Sequence, residues 1–261
     1  MVINFTHSSN PAMGPLQAHP SSSTSVSLLS HSAIRTLLGT NSTSTNSVRM
    51  ADSTPAPRKP LAIGVIVFEG VMLLDYIGPT SYLELLPQIC DVPIEIHAIS
   101  RVQGPLRSTN GVPLYASMGY ADAPEKLDIL LIPGGYGRRE MVKDQGFLDY
   151  IHRAAQNAVH VLTVCTGSGI LAHTGFLDGK RATTNKIAYN EIVTTHPGVN
   201  WVYKARWVVD GNIWTSSGVS AGMDMAYAYI TSQYGSEKAD AMARYIESVP
   251  NQDASNDPFA V

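Results

Sequence analysis

The chain is poor in cysteine, in charge and in long apolar runs, and each shortage removes a class of protein. Only Cys90 and Cys165 occur among 261 residues. Two cysteines without a CxxC pair make no disulfide framework, so free thiols in a reducing compartment are expected. Charged residues make up 15% and the formal net charge is −3, which leaves no basic excess for a phosphate backbone. Nucleic acid is therefore not an expected partner. No uninterrupted apolar stretch approaches the ~18–20 residues of a membrane span, so no membrane partner is expected either. The eight histidines show neither HExxH nor paired-ligand spacing, and no metal is expected. A serine nucleophile in the form GxSxG is also absent. What remains is 44% apolar, a globular composition able to bury a sizeable core.

That composition is uneven. Serine and threonine supply about a third of residues 1–60, no acidic residue precedes Asp52, and Arg35 and Arg49 are the only Lys or Arg before it. Such a segment has too few large apolar groups to offset its ordering entropy and reads as a disordered leader. Two functional readings stand beside that one. A Ser-rich, acid-poor leader fits an organelle transit segment, which would place the protein in mitochondria. Alternatively translation starts at Met50, which leaves a cytoplasmic protein. Either way residues 1–60 are expected to be dispensable: a chain starting at Met50 should match the full chain in thermal midpoint and activity, and a midpoint several degrees lower would show otherwise. Residues 61–249 then form the domain and 250–261 a tail.

From Leu61 on, strands and helices alternate. Leu61–Phe68 is a near-continuous apolar run, as expected of a strand covered on both faces. Ile94–Ile99, Leu127–Ile132 and Val159–Val164 read the same way, and Arg181–Thr184 as a further strand. Trp207–Val209 and Ile213–Thr215 flank Asp210-Gly211-Asn212, a hairpin signal. Helices are expected from Pro79 through Leu86, over Gln145–Gln156, from Thr166 to Gly175, and over Ala221–Gln233 and Glu237–Ile246. The pattern predicts a three-layer α/β/α sandwich with a mostly parallel, flavodoxin-like sheet.

Cys165 sits where a buried strand stops and Thr166-Gly167-Ser168-Gly169 opens a helix. Ligands of parallel α/β sheets bind at this rim. A helix start favours thiolate, so Cys165 is expected to alkylate well before Cys90, which has no such setting. The bland alternative is a small cysteine packed as a hydrophobe. Gly167-Ser-Gly-Ile-Leu-Ala172 also fits the dinucleotide fingerprint. The following strand, however, runs into Asn185-Lys186 rather than a ribose-binding acid. Asp75, at the carboxyl end of the first strand, points to the same rim; helix capping is its competing role. His160 and His173 read as ordinary core or surface residues.

Asp75-Tyr-Ile-Gly78-Pro79, Pro133-Gly134-Gly135, Cys165-Thr166-Gly167, Gly179–Thr184 and Thr215–Met225 together resemble the DJ-1/PfpI superfamily, and within it the isonitrile hydratases. The resemblance implies a nucleophile elbow after a central strand, with Cys165 as nucleophile, Asp75 as acid/base and Thr166 beside the thiol. It further implies substrate or oxyanion contacts from Gly134 and Gly135, with the N–H of Thr166 as another donor, no cofactor, a small-molecule substrate and a homodimer. Family members often read A-T-T-H where this chain has Ala182-Thr183-Thr184-Asn185. The missing imidazole counts against a Cys-His dyad. A hydratase-type lyase, including a relative recruited to tailor another metabolite, is the leading expectation. A glyoxalase or deglycase acting on α-oxoaldehydes and a non-catalytic redox sensor stand as alternatives.

Overall fold

A computed structural model describes residues 58–261 of the chain; the readings given to residues 1–57 lie outside the described residues. The main sheet has seven strands: β1 (Leu61–Ile66), β2 (Ile94–Ser100), β5 (Met118–Gly119), β6 (Ile129–Ile132), β7 (His160–Thr163), β10 (Trp207–Asp210) and β11 (Ile213–Ser216). Their order is β10-β11-β7-β6-β1-β2-β5. Every pairing is parallel except β10 with β11, the hairpin turned by Gly211. Two small sheets stand apart, pairing β3 (Gly104–Arg107) with β4 (Pro113–Ala116), and β8 (Arg181–Ala182) with β9 (Asn200–Trp201). The expected strand Arg181–Thr184 is thus two residues long and lies outside the main sheet.

Strand side chains alternate between faces, and here they divide two cores. Ile63, Val65, Ile129, Leu131, Leu162 and Val164 belong to one, and Ile66, Leu130, Ile132 and Val161 to the other. Helices α1 (Leu73–Leu83), α7 (Ala221–Tyr234) and α8 (Ser236–Tyr245) cover the first core, while α4 (Gln145–Asn157) and α5 (Gly167–His173) cover the second. Shorter helices are α2 (Leu86–Cys90), α3 (Arg138–Met141) and α6 (Tyr189–Thr195). The three-layer, flavodoxin-like α/β/α architecture is as read from the sequence. Among the described residues, no helix is long and apolar enough to cross a membrane.

One expectation is corrected. The first helix does not begin at Pro79: it starts at Leu73, placing Asp75 in the first turn and Pro79 inside. Pro79 has no N–H to donate to the carbonyl of Asp75 four residues back, a loss the surrounding packing tolerates. Residues 250–261, read as a tail, are tied to the domain by backbone hydrogen bonds. The N–H of Arg206 donates to the Ala254 carbonyl and that of Asp257 to the Lys204 carbonyl, at 2.8 and 2.7 Å. Asp257 is only 2% exposed.

Helices α1 and α7 meet close to the elbow. A Cβ on Gly222 would lie 2.7 Å from Val164 Cγ1 and 3.2 Å from Pro79 Cγ, and one on Gly78 2.8 Å from Met223 Cγ. Bare glycine backbones therefore bring both helices against the end of β7.

Candidate active site

Cys165 follows β7 by two residues and precedes α5 by two, in a turn that forces φ to +58°. A non-glycine residue in that region carries strain of about 1–3 kcal/mol, held only where its surroundings over-determine it. The surroundings here do so. The N–H of Cys165 donates to the Ser217 carbonyl at 3.0 Å. Its carbonyl accepts from Thr184 Oγ1 at 3.1 Å and from Ser168 Oγ at 3.2 Å. Gly167 makes the turn sterically feasible, since a Cβ there would lie 2.0 Å from the Ile132 carbonyl oxygen.

Asp75 and Cys165 come together across this turn. Asp75 is fully buried, and its Oδ2 accepts from the Gly134 N–H at 2.9 Å. The capping alternative is corrected, because Met72 occupies the N-cap of α1 without a side-chain bond. Burial pushes the Asp75 carboxyl up to about 7, against the opposing pull of the Gly134 N–H and the Cys165 thiol. Its Oδ1 is buried and accepts no N–H or O–H bond. The thiol is therefore the neighbour able to exchange a proton with the carboxyl group.

The thiol does not rest as thiolate, contrary to expectation. Burial and then the Asp75 charge push it up to about 12, while the backbone N–H groups of Val219 and Thr166 pull it down. Desolvation of a group only 6% exposed outweighs a seven-residue helix. The expected labelling order loses its basis with it. Cys90 is half-buried at the end of α2 and is also raised, chiefly by burial.

Thr166 lies where the sequence reading put it, beside Cys165, with its hydroxyl accepting from the Gly135 N–H at 3.1 Å. Both glycine N–H groups expected to face substrate are thus already engaged, that of Gly134 with Asp75 and that of Gly135 with Thr166. The donors aimed at the sulfur are Thr166 and Val219. Sequence reasoning missed Val219. It has a φ of +46°, and a β-branched residue advertises no such conformation.

Asn185 does not replace the missing imidazole with a free group. Its Oδ1 accepts from the Ala188 N–H at 3.1 Å, and its Nδ2 packs against Gly218. His173 lies against the Gly169 carbonyl and His196, and His160 against Tyr229. Among the described residues, no three His, Cys, Asp or Glu side chains are grouped as metal ligands.

Residues 62–232 match the DJ-1/PfpI family over most of the domain. The chain belongs to that family. It is 34% identical over 190 residues to the isonitrile hydratase of Pseudomonas putida, covering 73% of this chain and 79% of that protein. It is also 27% identical over 143 residues to the HTH-type transcriptional regulator CdhR of Pseudomonas aeruginosa, covering 55% of this chain and 42% of the regulator. A crystal structure of a ThiJ/PfpI family protein from Pseudomonas syringae superposes with a TM-score of 0.67 at 23% identity, over 79% of this chain and 83% of that one. The proteins this chain resembles thus include both an enzyme and a regulator.

Proposed function

We propose that this chain is a cofactor-free cysteine enzyme that hydrates an isonitrile, or a closely related slim electrophilic metabolite, to an N-substituted formamide. The observation that carries the reading is the Cys165–Asp75 pair: a buried thiol beside a buried carboxyl group. Similarity to an isonitrile hydratase across three quarters of the chain supports the substrate class. A thiol only 6% exposed also suits a narrow reactive end, such as a terminal isonitrile carbon, better than a peptide.

Between about 7 and about 12 the pair shares one proton. That proton passes by way of the Asp75 carboxyl to the terminal isonitrile carbon as the sulfur bonds to the same carbon, giving a thioimidate and an Asp75 carboxylate. The Thr166 and Val219 N–H groups offset the charge that builds on sulfur during the transfer. The carboxylate then takes a proton from water while the oxygen adds to the thioimidate carbon. The nitrogen receives that proton, the carbon–sulfur bond breaks, and the hydroxyl proton returns to the pair. The net change is one water added, and the product is the formamide.

A pH profile follows. Below about 7 the pair holds two protons and lacks its base, so kcat/KM should fall through an acid limb with an inflection near 7. Formamide release measured from about pH 5 to about pH 9 checks this; a flat profile would remove the pair from the rate-determining chemistry. Methylglyoxal offered in parallel separates the glyoxalase alternative, because lactate without formamide would reassign the activity. A small-molecule substrate and a homodimer are part of the same reading.

A further inference from the structure

We propose that Asp257 is a positioning residue for the Cys165 thiol, acting through two buried cations, Lys186 and Arg206, that hold the two backbone segments enclosing the elbow. The proposal rests on Cys165 being the reactive group. Asp257 lies in the segment after α8, 92 residues from the cysteine by number, yet it is bound into the layer behind the site.

One route runs through Lys186. Asp257 Oδ2 lies 3.6 Å from Lys186 Nζ and has no hydrogen-bond partner of its own. Lys186 Nζ donates to Thr183 Oγ1 at 2.9 Å, to the Ala205 carbonyl at 3.0 Å and to the Thr184 carbonyl at 3.2 Å. Thr184 in turn donates its hydroxyl to the Cys165 carbonyl.

The other route runs through Arg206. Asp257 Oδ1 accepts from Arg206 Nη1 at 3.4 Å. Arg206 Nη2 donates to Ser220 Oγ at 3.1 Å, and Nε donates to Asp224 Oδ2 at 2.8 Å. The Arg206 carbonyl accepts from the Ser217 N–H at 2.8 Å, and the Ser217 carbonyl accepts from the Cys165 N–H. Ser217 and Ser220 bracket Val219, whose N–H faces the sulfur.

The two routes converge on the residue with φ +58°, and the Arg206 route also brackets the donor with φ +46°. Strained backbone of this kind persists only when fixed from several sides. Asp257 is the group common to both routes. Two cations and two carboxylates, Lys186, Arg206, Asp224 and Asp257, balance within the cluster, so removing one carboxylate leaves a buried cation short of a partner. Among the described residues, Asp257 is the carboxylate within ion-pair distance of Lys186.

The test is the rate at which iodoacetamide modifies Cys165 in the full-length chain carrying Asp257→Asn, read by peptide mapping with Cys90 as internal standard. The sign of the change discriminates. Through space, lost negative charge favours thiolate, and a locally loosened structure exposes a buried thiol; both would speed the reaction. A displaced N–H cradle and a relaxed turn slow it. We expect about a tenfold slower modification of Cys165 at pH 8, equivalent to ~1.4 kcal/mol, with Cys90 unchanged. Thr184→Val cuts one route at its last bond and keeps all four charges, and it should slow Cys165 in the same direction. If Asp257→Asn does not fold, Thr184→Val decides alone. An unchanged or faster rate in a folded variant would overturn the proposal. No isonitrile enters the measurement, so it stands apart from whether the proposed hydration is observed.

Discussion

Asp75→Asn should lower formamide production by ~10²–10⁴-fold, the range for loss of a general acid–base group, while leaving the chain folded and more stable at alkaline pH. The amide keeps the size of the carboxyl group, and its oxygen can still accept from the Gly134 N–H. It cannot pass a proton between the thiol, the isonitrile carbon and water. The stability gain follows from the same burial. The folded carboxyl titrates at about 7, against about 3.9 in an unfolded chain, so the folded state binds this proton more tightly. Its stabilising effect is complete below the unfolded value and is lost as the pH rises through about 7. At pH 8 the ionised group opposes folding by up to ~4 kcal/mol, which a neutral amide avoids. Thermal midpoints of the two proteins should therefore differ more at pH 8 than at pH 4. Cys165→Ser in the same assay identifies background turnover. Full activity in Asp75→Asn would exclude Asp75 from the mechanism, and equal midpoints at both pH values would contradict the buried carboxylate.

Gly134→Ala should cost at least ~10²-fold in turnover, the scale of an ångström-sized misplacement of reacting groups. A Cβ at Gly134 would lie 2.4 Å from Thr166 Oγ1, 2.6 Å from the Thr166 nitrogen and 3.1 Å from Asp75 Oδ2. No side-chain rotation relieves the contact with a backbone nitrogen that itself points its hydrogen at the sulfur. The substitution must therefore displace the acid/base, the N–H donor, or both. A fall in kcat larger than the rise in KM would mark this as misplacement rather than lost binding. Wild-type kinetics in Gly134→Ala would show that the tight approach is not needed for turnover.

Much of the fold was legible because its signals are local. Leu61–Ile66 and Ile129–Ile132 are apolar on both faces, as strands covered by helices on each side must be, and the structure divides their alternating side chains between two cores. Cys165 was legible as well, since a buried strand running into Thr-Gly-Ser-Gly leaves little choice but a sharp turn. Asp75 lies beside Cys165, on the rim that its position after the first strand indicates, whereas Pro79 reads as a helix opening although the helix starts six residues earlier. The thiol's proton affinity is not legible in the sequence, for a different reason. A helix start can be seen in sequence, whereas the surroundings that bury the thiol, Asp75 of α1 and residues 217–219, are brought to it from elsewhere in the chain. Val219, Lys186 and Asp257 carried no local mark. Each acts through partners distant in the chain, and a valine at positive φ is set by its neighbours, not by its own preference.

The glycine junction between α1, α7 and the end of β7 has a mechanical consequence. A side chain at Gly222 would press on Val164 and Pro79 together, so both close on this backbone with little room to spare. Levers joined without a compliant spacer move as one body. A displacement of α7, which follows Val219, is passed at Gly222 to Pro79 of α1, which carries Asp75, and to Val164, the neighbour of Cys165. The proton carrier, the donor facing sulfur and the cysteine are therefore coupled through one packed junction.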